Sequence, residues 1–321
     1  MRSLLVPVIL AGLVGVALVG CSASPYADGS CERPESPGTA AVDVVDVTGA
    51  SDAAPRIDAY TPVHADQTQW RDLSDGEGTA IRSDDQLVVM DLTLLDGGTG
   101  EEIAATAYDG SLANPLPMSQ WTQSFPGLTQ ALECAREGDR VLTVLGEEGI
   151  EPEVAESFGL GETGSAILVA DLRKVYLAKA DGVDQFVEGN GLPSVVRAPD
   201  GTPGVIVPNG EAPDELRVEV LKRGDGEVVT GDAPVRVAYT GVLWDEGTVF
   251  DSTWGEEPVS LTLDGVVPGF AQALEGQTVG SQVLAVIPPD QGYGDQGSGA
   301  VPGGATLIFV IDILGIDAPA S

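Results

Sequence analysis

The chain repeats itself once. The nine residues Phe125-Pro126-Gly127-Leu128-Thr129-Gln130-Ala131-Leu132-Glu133 reappear as Val267-Pro268-Gly269-Phe270-Ala271-Gln272-Ala273-Leu274-Glu275, and the register holds onward through Gly138 and Gly280 and through Val141-Leu142 and Val283-Leu284. Upstream, Asp75-Gly76-Glu77-Gly78 matches Arg223-Gly224-Asp225-Gly226, but the run from Gly76 to Pro126 is longer than that from Gly224 to Pro268. The first copy therefore carries extra residues, most naturally within 97–123. Self-similarity at this scale means two copies of one structural unit, and 321 residues are enough for about two domains at roughly 100–200 residues each.

Each copy reads as short strands around one short helix. Leu216-Arg217-Val218-Glu219-Val220-Leu221 and Val235-Arg236-Val237-Ala238-Tyr239 alternate on either side of a Gly-Asp-Gly turn, as half-buried antiparallel strands do. Phe270, Ala271, Ala273 and Leu274 predict a short helix, opened at Pro268 and closed at Gly276. Residues 281–287 and 306–314 predict two further strands flanking the Gly-rich stretch 291–304. With 42 Gly and 22 Pro, turns are plentiful and long helices are not expected. The economical architecture is α+β, a twisted, curled antiparallel sheet wrapped on one short helix in each copy. Residues 181–211, rich in Gly and Pro, read as a linker with a lead-in strand at Val205-Ile206-Val207, and predict mobility between the copies.

Charge removes whole classes of function. Fifteen Lys+Arg against fifty Asp+Glu give a net charge of −35, which repels a phosphate backbone, so nucleic-acid binding is excluded. One histidine and three cysteines do not make a Cys/His metal cluster, no G-x-S-x-G nucleophile motif is present, and neither a metal nor a cofactor is expected. His64 reads as a surface or packing residue. The acidic surplus is spread along the chain, as a solvated surface is; steering of basic, unfolded clients is a further reading.

The N-terminus is an address. Arg2 precedes an apolar run over residues 4–19, the pattern of a secretory signal and too short for a comfortable transmembrane helix. The run ends in Leu18-Val19-Gly20-Cys21, which resembles a bacterial lipobox. That resemblance implies cleavage before Cys21, a lipid on its thiol and an extracytoplasmic protein held at the cell membrane. The competing readings are an ordinary secreted protein cut nearby, or a signal anchor that stays. Cys31 and Cys134 then remain, as a disulfide or as two unrelated thiols.

Five segments of the second copy bring a family into view: Val237-Ala238-Tyr239-Thr240-Gly241, Val249-Phe250-Asp251-Ser252, Val266-Val267-Pro268-Gly269-Phe270, Pro289-Asp290-Gln291-Gly292-Tyr293-Gly294 and Ala305-Thr306-Leu307-Ile308-Phe309. In this order and spacing the second copy resembles an FKBP-type peptidyl-prolyl cis-trans isomerase. The resemblance implies a half-open sheet curled over one helix, with an apolar pocket that receives a proline ring and macrolide inhibitors. It places Tyr239, Phe250, Val266, Val267, Phe270 and Phe309 on the pocket wall, Asp251 at the pocket carboxylate, Tyr293 at the hydroxyl that meets the substrate carbonyl, and Val301 on the apolar flap beside it. Of these, Tyr239, Asp251 and Tyr293 are expected to carry the chemistry. Two departures stand out: the helix-start ring is Phe270 where Trp is usual, and Val259 stands where an aromatic often follows the strand turn. Ordinary core packing is the alternative for the rings, and a turn cap is the alternative for Asp251.

In the first copy Met90 stands near the Tyr239 position, Ile103 near Phe250, Ala104 near Asp251, Leu128 at Phe270, Phe158 at Tyr293 and Leu168 at Phe309. The fold signature survives while the hydroxyl, the carboxylate and most rings are gone. The expected organisation is a leader at 1–20, a tether at 21–38, a degenerate FKBP-like domain at 39–180, the linker at 181–211 and an isomerase domain at 212–321. The expected function is isomerisation of X-Pro bonds in unfolded or exported polypeptides. Its rival is a non-catalytic, lipid-anchored chaperone or scaffold that binds proline-containing segments.

Overall fold

The computed structural model describes residues 31–160, 165–189 and 191–318. The expected leader at 1–20, the Cys21 expected to carry a lipid and the expected tether up to residue 30 lie outside the described residues.

Each copy begins with a two-stranded hairpin and continues into a larger sheet. The first has the hairpin β1 (Val45–Thr48) and β2 (Arg56–Ala59), then β3 (Gln69–Ser74), β4 (Leu87–Asp96), β5 (Glu102–Ala105), β6 (Leu116–Pro117), α1 (Met118–Ser124), α2 (Leu128–Ala131), β7 (Arg140–Leu145), α3 (Pro152–Ser157) and β8 (Ala166–Val175). The short strand β9 (Val183–Asp184) follows, then the second hairpin, β10 (Ser194–Arg197) and β11 (Pro203–Ile206). The second sheet is built from β12 (Arg217–Arg223), β13 (Val235–Leu243), β14 (Val249–Ser252), β15 (Val259–Leu261), β16 (Gln282–Ile287) and β17 (Leu307–Ile316), with α4 (Pro268–Leu274) before β16.

The two sheets share one topology. The first runs β3-β7-β8-β4-β5 with β6 also on β4; the second runs β14-β13-β17-β16-β12-β9 with β15 also on β13. Three bulges recur at matching places, at Asp72/Ser74 and Val220/Lys222, at Val89/Met90 and Arg236/Val237, and at Leu94/Leu95 and Gly241/Val242. The extra residues of the first copy lengthen the loop after β5 and build α1, where the second copy has a shorter loop after β14 and the 3-10 turn Leu263–Gly265.

The central strands depart from simple alternation. All six residues of β7 and of β16 are buried, because each sheet is covered on both faces. One face packs on short helices: α4 alone in the second copy, as expected, but α1, α2 and α3 in the first, where a single helix is expected and the extra residues supply more. The other is covered by the hairpin, with Val45 and Val63 against Leu142, Val144, Ile167 and Val169 in the first copy, and Val195 and Val205 against Leu284, Val286, Ile308 and Val310 in the second. Doubly covered strands read as unbroken apolar runs, which is what Leu307-Ile308-Phe309-Val310-Ile311 is.

The segment expected to be a mobile linker is tied down. Leu177 N–H donates to Leu314 O at 3.0 Å and Gly182 N–H to Gly280 O at 2.9 Å. Ala180 N–H donates to Asp312 Oδ2 at 2.7 Å, and β9 pairs with β12. Gly and Pro serve turns here rather than slack. Tyr176, fully buried at the seam, donates its hydroxyl to Asp317 at 2.5 Å beneath the guanidinium of Arg236. Cys31 and Cys134 are bonded, with Cα atoms 5.4 Å apart. Beside them Arg33 pairs with Asp72 and donates to the carbonyls of Ala131 and Glu133. His64 is a half-exposed loop residue, with Nε2 3.2 Å from Asp66 and Nδ1 3.5 Å from the Ser165 hydroxyl.

Candidate active site

Four aromatic rings meet on the inner face of the second sheet. Tyr239 projects from β13, Phe250 from β14, Phe309 from β17 and Phe270 from the first turn of α4, whose start is set by Pro268 in the first helical turn. Phe270 and Phe309 lie 5.0 Å apart, Phe250 and Phe309 5.5 Å, and Tyr239 is 5.8 Å from both Phe270 and Phe309, all edge to face. This is the geometry that ring quadrupoles favour. Phe270, Phe309 and Val301 are buried, while Tyr239, Phe250, Val266 and Val267 are half-buried against them. The cluster thus has a closed floor and open walls.

A polar edge runs along these walls. Tyr239 donates its hydroxyl to Asp251 Oδ2 at 2.5 Å. Burial and then the Asp251 carboxylate hold the Tyr239 phenol above its ordinary range, so it stays a donor. Tyr293 is 38% exposed and lies close enough to Tyr239 to act on it electrostatically. Its loop is braced by paired bonds between Ser298 and Val301, 2.9 and 2.8 Å, and by Gly304 N–H to Gly294 O at 2.9 Å. Val259 packs against the same core from β15. All nine residues assigned to this site by resemblance therefore fall in or beside one cluster. Two cavities, of about 460 and 440 Å³, are lined by other residues.

Two contributors were not read from the sequence as parts of the site. Gly241 faces the rings, and a Cβ there would stand 2.6 Å from Phe250 and 2.9 Å from Phe309, so the cluster exists because this strand position has no side chain. A glycine in the middle of a strand is the available signal. Thr253 clasps the Tyr239 backbone: its hydroxyl accepts the Tyr239 N–H at 2.9 Å and its own N–H donates to Tyr239 O at 3.0 Å.

The first copy keeps the clasp and loses the space. Thr106 accepts the N–H of Leu92 at 3.1 Å and donates to its carbonyl at 2.9 Å. The residue at the Tyr239 position is therefore Leu92, two residues beyond Met90, which instead matches Val237 at the bulge. Leu94 stands at the Gly241 position, opposite Leu168 and Ala104, which stand for Phe309 and Asp251. Leu94, Leu128 and Leu168 are all buried, and Phe158 and Trp121 pack on the same core.

The family model for FKBP-type peptidyl-prolyl cis-trans isomerases matches residues 224–314. A probable FK506-binding protein of Corynebacterium glutamicum is 34% identical over 113 residues, which is 35% of this chain and 96% of that protein. An FK506-binding protein of Streptomyces anulatus is 35% identical over 119 residues, 36% of this chain and 96% of the relative. The FKBP-type 22 kDa peptidyl-prolyl cis-trans isomerase of Escherichia coli is 41% identical over 103 residues, covering 32% of this chain and 50% of that one. The chain belongs to the FKBP-type peptidyl-prolyl cis-trans isomerase family. These matches account for about a third of its length.

Proposed function

We propose that this chain isomerises X-Pro bonds of exported polypeptides in the ring pocket of its second copy, and that the first copy is non-catalytic. Rotation about an X-Pro bond breaks amide resonance behind a barrier of ~18–20 kcal/mol and takes tens to hundreds of seconds unaided. No nucleophile is required. A proline ring seated on Phe270 and Phe309, between Tyr239 and Phe250, leaves water together with its amide. The twisted amide is less polar than the planar one and loses less by that transfer, so the pocket favours the transition state. Tyr293 is the donor offered to the substrate carbonyl, and the Tyr239–Asp251 pair fixes the polar edge. The single observation that carries this reading is the four-ring cluster with its floor buried and its walls open.

The location is part of the proposal. Leu18-Val19-Gly20-Cys21 supports a lipid anchor outside the cytoplasmic membrane, and a paired Cys31 and Cys134 suits an oxidising compartment. The test is proline-limited refolding of an unfolded substrate by the full chain beside Phe270→Ala, Tyr293→Phe and Asp251→Ala. Acceleration that the variants reduce and a macrolide blocks supports the pocket. No acceleration by the folded chain would make it a binding module that keeps the isomerase shape.

A further inference from the structure

The residue after the clasp differs between the copies. Thr106 is followed by Ala107, whereas Thr253 is followed by Trp254. β14, which carries Phe250 and Asp251, is an edge strand of four residues, held by hydrogen bonds on one side only. A short edge strand frays readily, yet Asp251 must stay on the Tyr239 hydroxyl. The first copy has Ala104 in place of the carboxylate and no ring immediately after its clasp.

Trp254 reaches across to the second hairpin. A Cβ at Gly201 would come within 3.0 Å of the far carbon of the Trp254 ring, so the indole lies directly on the turn. Gly201 has φ +103°, a conformation that also calls for glycine. The turn is itself fixed: Ala198 N–H donates to Thr202 O and Gly201 N–H to Ala198 O, each at 2.9 Å. Lys179 Nζ donates to Pro199 O at 2.7 Å, and the hairpin is seated on the sheet by Val195 and Val205. On the other side, Trp254 N–H bonds the Ser252 hydroxyl at 3.3 Å, one residue from Asp251.

We propose that Trp254 is a positioning residue for the isomerase reaction, pinned by the Ala198–Thr202 turn so that β14 holds Asp251 against Tyr239. The working unit then starts at the second hairpin, upstream of the residues that match the family model. This rests on the site assigned above.

The test is a double-mutant cycle on the full chain, with kcat/KM for a prolyl peptide measured for Trp254→Ala, Asp251→Ala and the pair, and for Trp254→Phe. Small misplacements of a working group cost up to about 10²-fold. Trp254→Ala is expected to lose about 10-fold or more, Trp254→Phe to recover most of it, and Trp254→Ala to add nothing once Asp251 is already Ala. An equal loss in both backgrounds, or none in either, overturns the inference, because a merely structural ring acts regardless of Asp251. No loss from Asp251→Ala alone breaks the site assignment itself, and the inference with it.

Discussion

The two copies have the same strand order, the same three bulges and the same threonine clasp, yet only one gathers aromatic rings. The difference is concentrated at the inner face. Gly241 leaves a gap that Phe250 and Phe309 share edge to face, whereas Leu94 occupies that gap itself and packs on Leu168. Aliphatic side chains fill space to interior density and leave no seat for a guest. The fold is thus specified by features both copies keep, and the pocket by what the second copy omits.

The most severe way to break this comparison is to give the second copy the first copy's residue. Gly241→Leu drives a side chain into Phe250 and Phe309, and isomerase turnover is expected to fall about 10²-fold or more, with overpacking costing about 1–3 kcal/mol of stability. Retained turnover in a folded Gly241→Leu chain would mean that the rings are core rather than pocket.

The outer faces differ as sharply. Asp171 in β8 is paired with Arg140, at 2.6 and 2.9 Å, and Arg140 also donates to Gly49 O and Ala53 O in the turn of the first hairpin. At the same place in the second copy Asp312 meets the neutral Gln282 at 2.6 Å, and Arg197 reaches Gln282 from the second hairpin. Both devices tie a hairpin to a central strand, one through a full charge. Both side chains of the first pair are almost completely buried, so Arg140→Leu leaves the Asp171 carboxylate without its cation, held only by the Tyr108 hydroxyl at 3.2 Å, and is expected to cost about 3–5 kcal/mol in denaturant unfolding of the full chain. Gln282→Leu, which removes a neutral partner, is expected to cost roughly 1–3 kcal/mol.

Burial raises both carboxyls, Asp171 against the pull of Arg140 and Asp312 against that of a neutral side chain, and the larger shift is at Asp312. Burial pushes the Asp312 carboxyl up to about 6, against the opposing pull of Ala180 N–H and Gln282. The folded state therefore binds this proton more tightly than the unfolded chain. The stabilisation is complete below the unfolded value near ~4 and is lost as pH rises through about 6, a span of roughly 3 kcal/mol. Asp312→Asn has no such proton to lose. Its stability relative to the parent is expected to rise by about that amount between pH ~4 and pH ~7, read from urea unfolding at each pH. A flat difference would show that the carboxyl titrates alike in both states.

The sequence disclosed the inner half of this molecule better than the outer half. Self-comparison found the copies because Pro126-Gly127 and Pro268-Gly269 open the same helical turn, and the motif residues of the second copy fall together because each sits on a strand or helix the repeat defines. The hairpins are the least legible part: of their four strands only β11 is foreshadowed, by Val205-Ile206-Val207. Val45–Thr48 and Ser194–Arg197 share only the valine at Val47 and Val196, and a four-residue strand carries too little periodicity to read. Gly241 was visible as a letter of a motif, but its meaning lies in rings contributed by β14 and β17, which the local sequence does not state. The pairing of Cys31 with Cys134, 103 residues apart, is likewise set by tertiary approach alone.

The smallest expected effect lies at the seam. Tyr176 offers its hydroxyl to Asp317, but Asp317 also takes Arg236 at 3.0 Å and the Ser260 hydroxyl, and the tyrosine ring keeps its place 5.4 Å beneath the Arg236 guanidinium without the hydroxyl. Tyr176→Phe therefore removes one bond from a carboxylate that retains two partners. The expected cost is about 1 kcal/mol, or roughly 2–4 °C in melting temperature, with turnover unchanged because the seam contributes no residue to the ring cluster. A loss of stability comparable to that of Arg140→Leu would mean that the hydroxyl, rather than the ring and the ion pair, joins the copies.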